Sequence, residues 1–154
     1  MLTLQIGGEE FIFMVDTGAM VSLIQPRISG AQVRPCDVQA RGVTGTQLDI
    51  LGEQEVEFAL CNNDGLVTFV HTFVVSPLKR CSSGILGMDF LHRVGAEISL
   101  TAHSLYMGRY SFPLRGQELR FSEVQCLITA GQTRPVCADR KEGEFGLWGI
   151  GKVP

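Results

Sequence analysis

The chain has 154 residues, 45% of them hydrophobic, and 13 Lys+Arg against 16 Asp+Glu give a net charge of −3. That is the length of about one domain, with apolar material enough for a packed core, which excludes disorder over most of the chain. No basic run could neutralise several phosphates, so nucleic-acid binding by this segment is excluded as well.

Strands dominate the reading in chain order. Leu2 to Ile6 alternates apolar and polar residues, Gly7-Gly8 turns the chain, and Phe11 to Val15 returns as the second arm of a hairpin. Val21 to Ile24 is a short apolar run stopped before Pro26. Gln39 to Val43 and Thr46 to Leu51 flank Thr44-Gly45 and predict a second hairpin. Val56 to Leu60, the turn Asn62-Asn63-Asp64-Gly65 and the long run Leu66 to Val75 predict a third. Only Met88 to Val94 reads as helix, with Asp89 at its start and Gly95 at its end. Three short strands follow, at Ala96 to Leu100, Ser104 to Met107 and Tyr110 to Leu114.

The 18 glycines exceed the usual share of about 7% and suit such a turn-rich sheet protein. The expected architecture is all-β with one short helix, as a partly open barrel or a sandwich. Beyond residue 114 the alternation fades, apart from Val124 to Thr129. A charge cluster at 139–144 precedes Phe145, Leu147, Trp148 and Ile150. Residues 1–114 are therefore expected to form the domain, and 115–154 a tail or linker.

Five cysteines at irregular spacing fit a reducing compartment better than a disulfide framework, and are expected to be small core residues. There is no C-x-x-C pair, and His71, His92 and His103 show no ligand spacing with Cys, so neither a metal nor another cofactor is expected. No apolar stretch reaches the roughly 18 to 20 residues of a membrane span, and no signal peptide is expected at the N-terminus.

The sharpest motif is Asp16-Thr17-Gly18-Ala19, directly after the apolar run Phe11 to Val15. Chance alone would place Asp-Thr-Gly in about 3% of chains this long, and an Asp-initiated turn is the plain alternative. A carboxylate at the end of a buried strand is nevertheless expensive unless something pairs or uses it. Two further segments accompany it. Arg41 to Leu48 is a hairpin with a Gly-containing tip, suited to closing over a substrate. Ile85-Leu86-Gly87-Met88-Asp89-Phe90-Leu91 is an apolar strand end running into the helix. Asp89 reads as an ordinary residue of the helix start, His71 as surface or half-buried, and His92 and His103 as exposed.

In these three motifs, in this order, the sequence resembles the retropepsins, the aspartic proteases of retroviruses and gypsy-type retrotransposons. The resemblance spans Leu2 to Leu114 and implies an acid-protease barrel, one lobe per chain. It implies that Asp16 is the catalytic carboxylate, that Thr17 ties two active-site loops together across a dimer, and that Gly18 and Ala19 receive substrate backbone. Val43, Thr44 and Gly45 match the flap tip; Ile85, Leu86 and Gly87 match the strand supporting the active-site loop. Ser22 and Ile24 fit the apolar strand after that loop.

Counting extends the implication. Aspartic proteolysis needs two carboxylates sharing a proton, yet of six aspartates only Asp16 is followed by Thr-Gly or Ser-Gly. The second carboxylate must come from another copy, so an active enzyme is expected to be a homodimer acting on polypeptide, such as a Gag-Pol-like polyprotein, in the cytoplasm or in a retroelement particle. The alternative is a non-catalytic or domesticated module of the same fold that dimerises or binds peptide. The intact Asp16-Thr17-Gly18 favours the enzyme.

Overall fold

The computed structural model describes residues 1–79 and 82–116. Its strands are β1 (Leu2–Ile6), β2 (Glu9–Val15), β3 (Leu23–Ile24), β4 (Gly52–Asn62), β5 (Gly65–Val75), β6 (Gly84–Leu86), β7 (Ala96–Ser99), β8 (Ser104–Met107) and β9 (Tyr110–Pro113). One helix, α1 (Met88–Arg93), lies between β6 and β7. The first six strands form a barrel in the order β1-β2-β6-β3-β5-β4, and β7-β8-β9 form a separate antiparallel sheet.

Alternation builds the barrel. Leu2, Leu4 and Ile6 of β1 point inward, as do Val56, Phe58 and Leu60 of β4. The ring, expected to be partly open, is closed. β1 pairs antiparallel with β2 along its whole length and with β4 through Leu4↔Leu60 and Gln5↔Ala59, so no edge is left between first and last strands.

Inside the barrel, Phe13, Phe58, Phe73 and Phe90 meet edge-on or tilted at centroid distances of 5.5–5.8 Å. Full burial of each such side chain contributes about 1.5–3 kcal/mol. The helix contributes Phe90 and Leu91 to this core, and the second sheet contributes Leu105, Met107 and Phe112. The two sheets thus share one apolar interior.

The segment expected to be the second hairpin departs from the reading. Residues 39–51 form no ladder; Arg41 and Gln47 make a single bridge around a turn. With Gly42, Thr44, Gly45 and Thr46 among so few apolar residues, no face is left to bury. The apolar run from Val21 likewise narrows to two paired residues, because Ser22 spends its backbone N–H and hydroxyl on other partners (below). Two further expectations are corrected. His71 is buried rather than surface or half-buried, and Cys61 is exposed and Cys36 intermediate rather than core. His92 and His103 are exposed as read. Among the described residues no helix is long and apolar enough to cross a membrane. Cys81, Cys126, Cys137 and the tail from residue 117, with its Val124–Thr129 run and Trp148, lie outside the described residues.

Candidate active site

Strand β2 delivers Asp16 to the rim of the barrel. Val15 pairs in parallel with Leu86 of β6, and the next residue donates its N–H to the Leu86 carbonyl at 3.0 Å. Asp16 is only 2% exposed. Among the described residues no Lys, Arg or His forms an ion pair with it. Burial pushes its carboxyl up to about 6, against the opposing pull of the Gly18 and Ala19 backbone N–H groups; the Gly18 N–H reaches Oδ1 at 2.9 Å. A carboxyl in this state holds or releases a proton near neutrality, as acid–base work requires. Thr17 and Gly18 are exposed beside it, and Ala19 is half-buried.

Ile85, Leu86 and Gly87 stand directly against this loop. Met88 donates to the Ala19 carbonyl at 2.7 Å and Asp89 to the Met20 carbonyl at 3.3 Å, so strand end and loop are stitched backbone to backbone. Gly87 has a steric reason. A Cβ there would lie 2.7 Å from the Val21 carbonyl oxygen and 2.8 Å from that of Ala19, closer than atoms pack.

Behind the stitch lies a polar cluster whose members are unrelated in sequence. Ser22, fully buried, donates its backbone N–H to Asp89 Oδ2 (2.9 Å) and its hydroxyl to Asp89 Oδ1 (2.6 Å), while its Oγ accepts the Gly87 N–H (2.9 Å). His71 Nε2 completes the set on Asp89 Oδ2 at 3.2 Å. Burial raises the Asp89 carboxyl, but the hydrogen bonds from His71 and Ser22, with the charge of His71, outweigh it and hold the group at about 2. Asp89 does open the helix, as its position suggested, yet its carboxylate faces inward as an acceptor. The available signals were a serine at an inward position of an apolar run and a histidine in an alternating strand; neither is distinctive.

Val43, Thr44 and Gly45 form the tip of a separate segment. Gly45 has φ +80° and donates to the Gly42 carbonyl at 2.9 Å; Gly42 donates to the Thr46 carbonyl at 2.8 Å and Leu48 to the Ala40 carbonyl at 2.9 Å. Thr44 and Gly45 are exposed. The base is anchored to the barrel, where Leu51 donates to the Val75 carbonyl and Ser76 Oγ to the Asp49 carbonyl. An anchored base and an exposed, self-bonded tip are what a lid requires. The structure therefore brings residues 16–19 and 85–87 into one unit and leaves 43–45 as a tethered arm.

Comparison with known proteins agrees with this arrangement. The chain is 34% identical over 97 residues to the Gag-Pol polyprotein of baboon endogenous virus (strain M7), a match covering 63% of this chain and 5% of that polyprotein. The chain thus spans a small fraction of its relative's length. Among solved structures, the retroviral protease-like domain of Ddi1 from Leishmania major superposes with a TM-score of 0.57 at 22% identity, covering 76% of this chain and 94% of that one, and so shares the fold. The sequence profile described as retroviral aspartyl protease matches residues 1–99. With well over half of its length matched, and with Asp16-Thr17-Gly18 at the rim of a closed barrel, the chain belongs to the retroviral aspartyl protease family.

Proposed function

We propose that this chain is an aspartic endopeptidase, assembled as a homodimer, that cleaves polypeptides such as a Gag-Pol-like polyprotein in the cytoplasm or within a retroelement particle. The observation that carries the reading is Asp16: a buried carboxyl without a cationic partner among the described residues, held near pH 6 at the rim of the barrel. Residues 1–114 make up the protease domain, with β9 ending at Pro113, and 115–154 the tail or linker.

In the dimer two Asp16 carboxyls share one proton, because like charges that close cannot both ionise. The ionised member takes a proton from water as it attacks the scissile carbonyl, and the protonated member donates to the carbonyl oxygen. Thr17 ties the two loops, Gly18 and Ala19 receive substrate backbone, Val43 to Gly45 close over the peptide, and Ile85 to Gly87 keep the loop in place.

The test uses the full chain with unfolded polypeptide from mildly acidic to neutral pH. The expected results are cleavage abolished by Asp16→Asn and by a statine-type peptide, and specific activity that falls on dilution below the dimer dissociation constant. Asp16→Asn chains mixed with wild type should lower activity through mixed dimers. A folded dimer without Asp16-dependent cleavage would favour the non-catalytic module instead.

A further inference from the structure

The Ser22–Asp89–His71 cluster, with Ser22 and His71 buried and Asp89 half-buried, is a set of polar groups that peptide hydrolysis itself does not use. Its three members come from the loop after Asp16, from α1 and from β5, and every connection among them converges on one carboxylate. Asp89 accepts from Ser22 N, Ser22 Oγ, His71 Nε2 and its neighbour Phe90 N. Ser22 is saturated in turn, since its carbonyl accepts the Val74 N–H at 2.9 Å and its Oγ accepts the Gly87 N–H. The chain of bonds therefore runs from β5, through α1 and Ser22, to Gly87, where the strand end meets the Asp16 loop.

His71 is held for this task. Its ring lies edge-on to Phe73 and Phe90, each at 5.2 Å, inside a wall that leaves it 7% exposed. Arg93 closes the same corner, donating to the Val70 carbonyl and lying 5.7 Å over the Phe90 ring. A ring fixed by packing on two sides presents Nε2 to Asp89 in one direction, which suits a positioning role.

Building on the endopeptidase reading, we propose that His71 is a positioning residue for the active-site loop, acting through Asp89 and Ser22 to clamp Gly87 and Met88 against Ala19 and Met20. The clamp fixes the height of Asp16 at the barrel rim, so it bears on the chemical step rather than on substrate binding. A misplacement of about 1 Å in such a site costs on the order of a hundred-fold in rate.

The test compares wild type, His71→Leu and His71→Gln in the full chain. Leu fits the apolar wall and removes the donor; Gln restores one. His71→Leu should lower kcat about ten-fold or more with KM changed less than about two-fold, and His71→Gln should recover part of the loss. Amide exchange supplies a readout that needs no activity. In His71→Leu, Gly87 and Met88 should exchange faster while Phe58 and Leu60 in β4 keep their wild-type rates. Unchanged kcat, or exchange at Gly87 and Met88 that moves only in step with β4, would overturn the clamp. If the wild type itself shows no Asp16-dependent cleavage, the endopeptidase reading falls and the exchange comparison alone decides the clamp.

Discussion

Replacing Asp16 by Asn separates the cost of the buried carboxyl from every other effect at the site. The folded chain holds its proton to about pH 6, against 3.8 for an ordinary aspartate. Between those values the folded state binds more protons than the unfolded one, so this group's contribution to stability falls as pH rises from about 4 to 6 and is then level. The shift corresponds to at most about 3 kcal/mol at pH 7, of which local relaxation and water entry on ionising leave about 1–2 kcal/mol. Asn keeps the shape and keeps an oxygen for the Gly18 N–H, but carries no charge. Asp16→Asn should therefore match wild type near pH 4 and exceed it by about 1–2 kcal/mol at pH 7, on the order of 4–8 °C in Tm. The assay is urea or thermal unfolding of both proteins from pH 4 to 7.5, at matched concentrations low enough that the chains are monomeric and no second Asp16 shifts the titration. Equal stability at pH 7, or a gap that does not grow with pH, would refute the claim that Asp16 is held in an unfavourable ionised state.

Three other substitutions probe the surrounding parts. Gly45→Val places a β-branched residue at φ +80° with open space around it, so turnover should fall several-fold while Tm shifts by only a few degrees; a large loss of stability would mean the segment is core rather than lid. Gly87→Ala drives a Cβ against the Val21 and Ala19 carbonyls and should cost about 2–3 kcal/mol in urea unfolding, together with loss of cleavage. Asp89→Asn has the opposite pH signature to Asp16→Asn. The Asp89 carboxylate is held down at about 2, so its stabilisation is present above about pH 4 and lost as pH falls toward 2. The variant should thus be about 1–2 kcal/mol less stable at pH 7, with the gap closing in acid unfolding below about pH 3.

Local pattern was enough for most of the strands. Period-two alternation in Leu2–Ile6 and Val56–Leu60 reports a half-buried ladder, because successive side chains must face opposite sides, although the strand begins earlier, at Gly52. Asp16-Thr17-Gly18 was legible for a similar reason, since a carboxylate ending an apolar strand is a local feature, whereas the need for glycine at position 87 comes from the Val21 and Ala19 carbonyls, far away in the chain. Other features depend on residues far apart in the chain. Closure of the barrel rests on Leu4 meeting Leu60, and no property of either segment alone announces that pairing. Residues 40–48 carry hairpin chemistry, yet only tertiary burial would turn them into strands, and none of them is fully buried. Ser22, His71 and Asp89 each look ordinary in sequence. Bringing them together across 67 and 18 residues required the fold, because a buried polar group acquires its role from the partner that satisfies it and not from its neighbours along the chain.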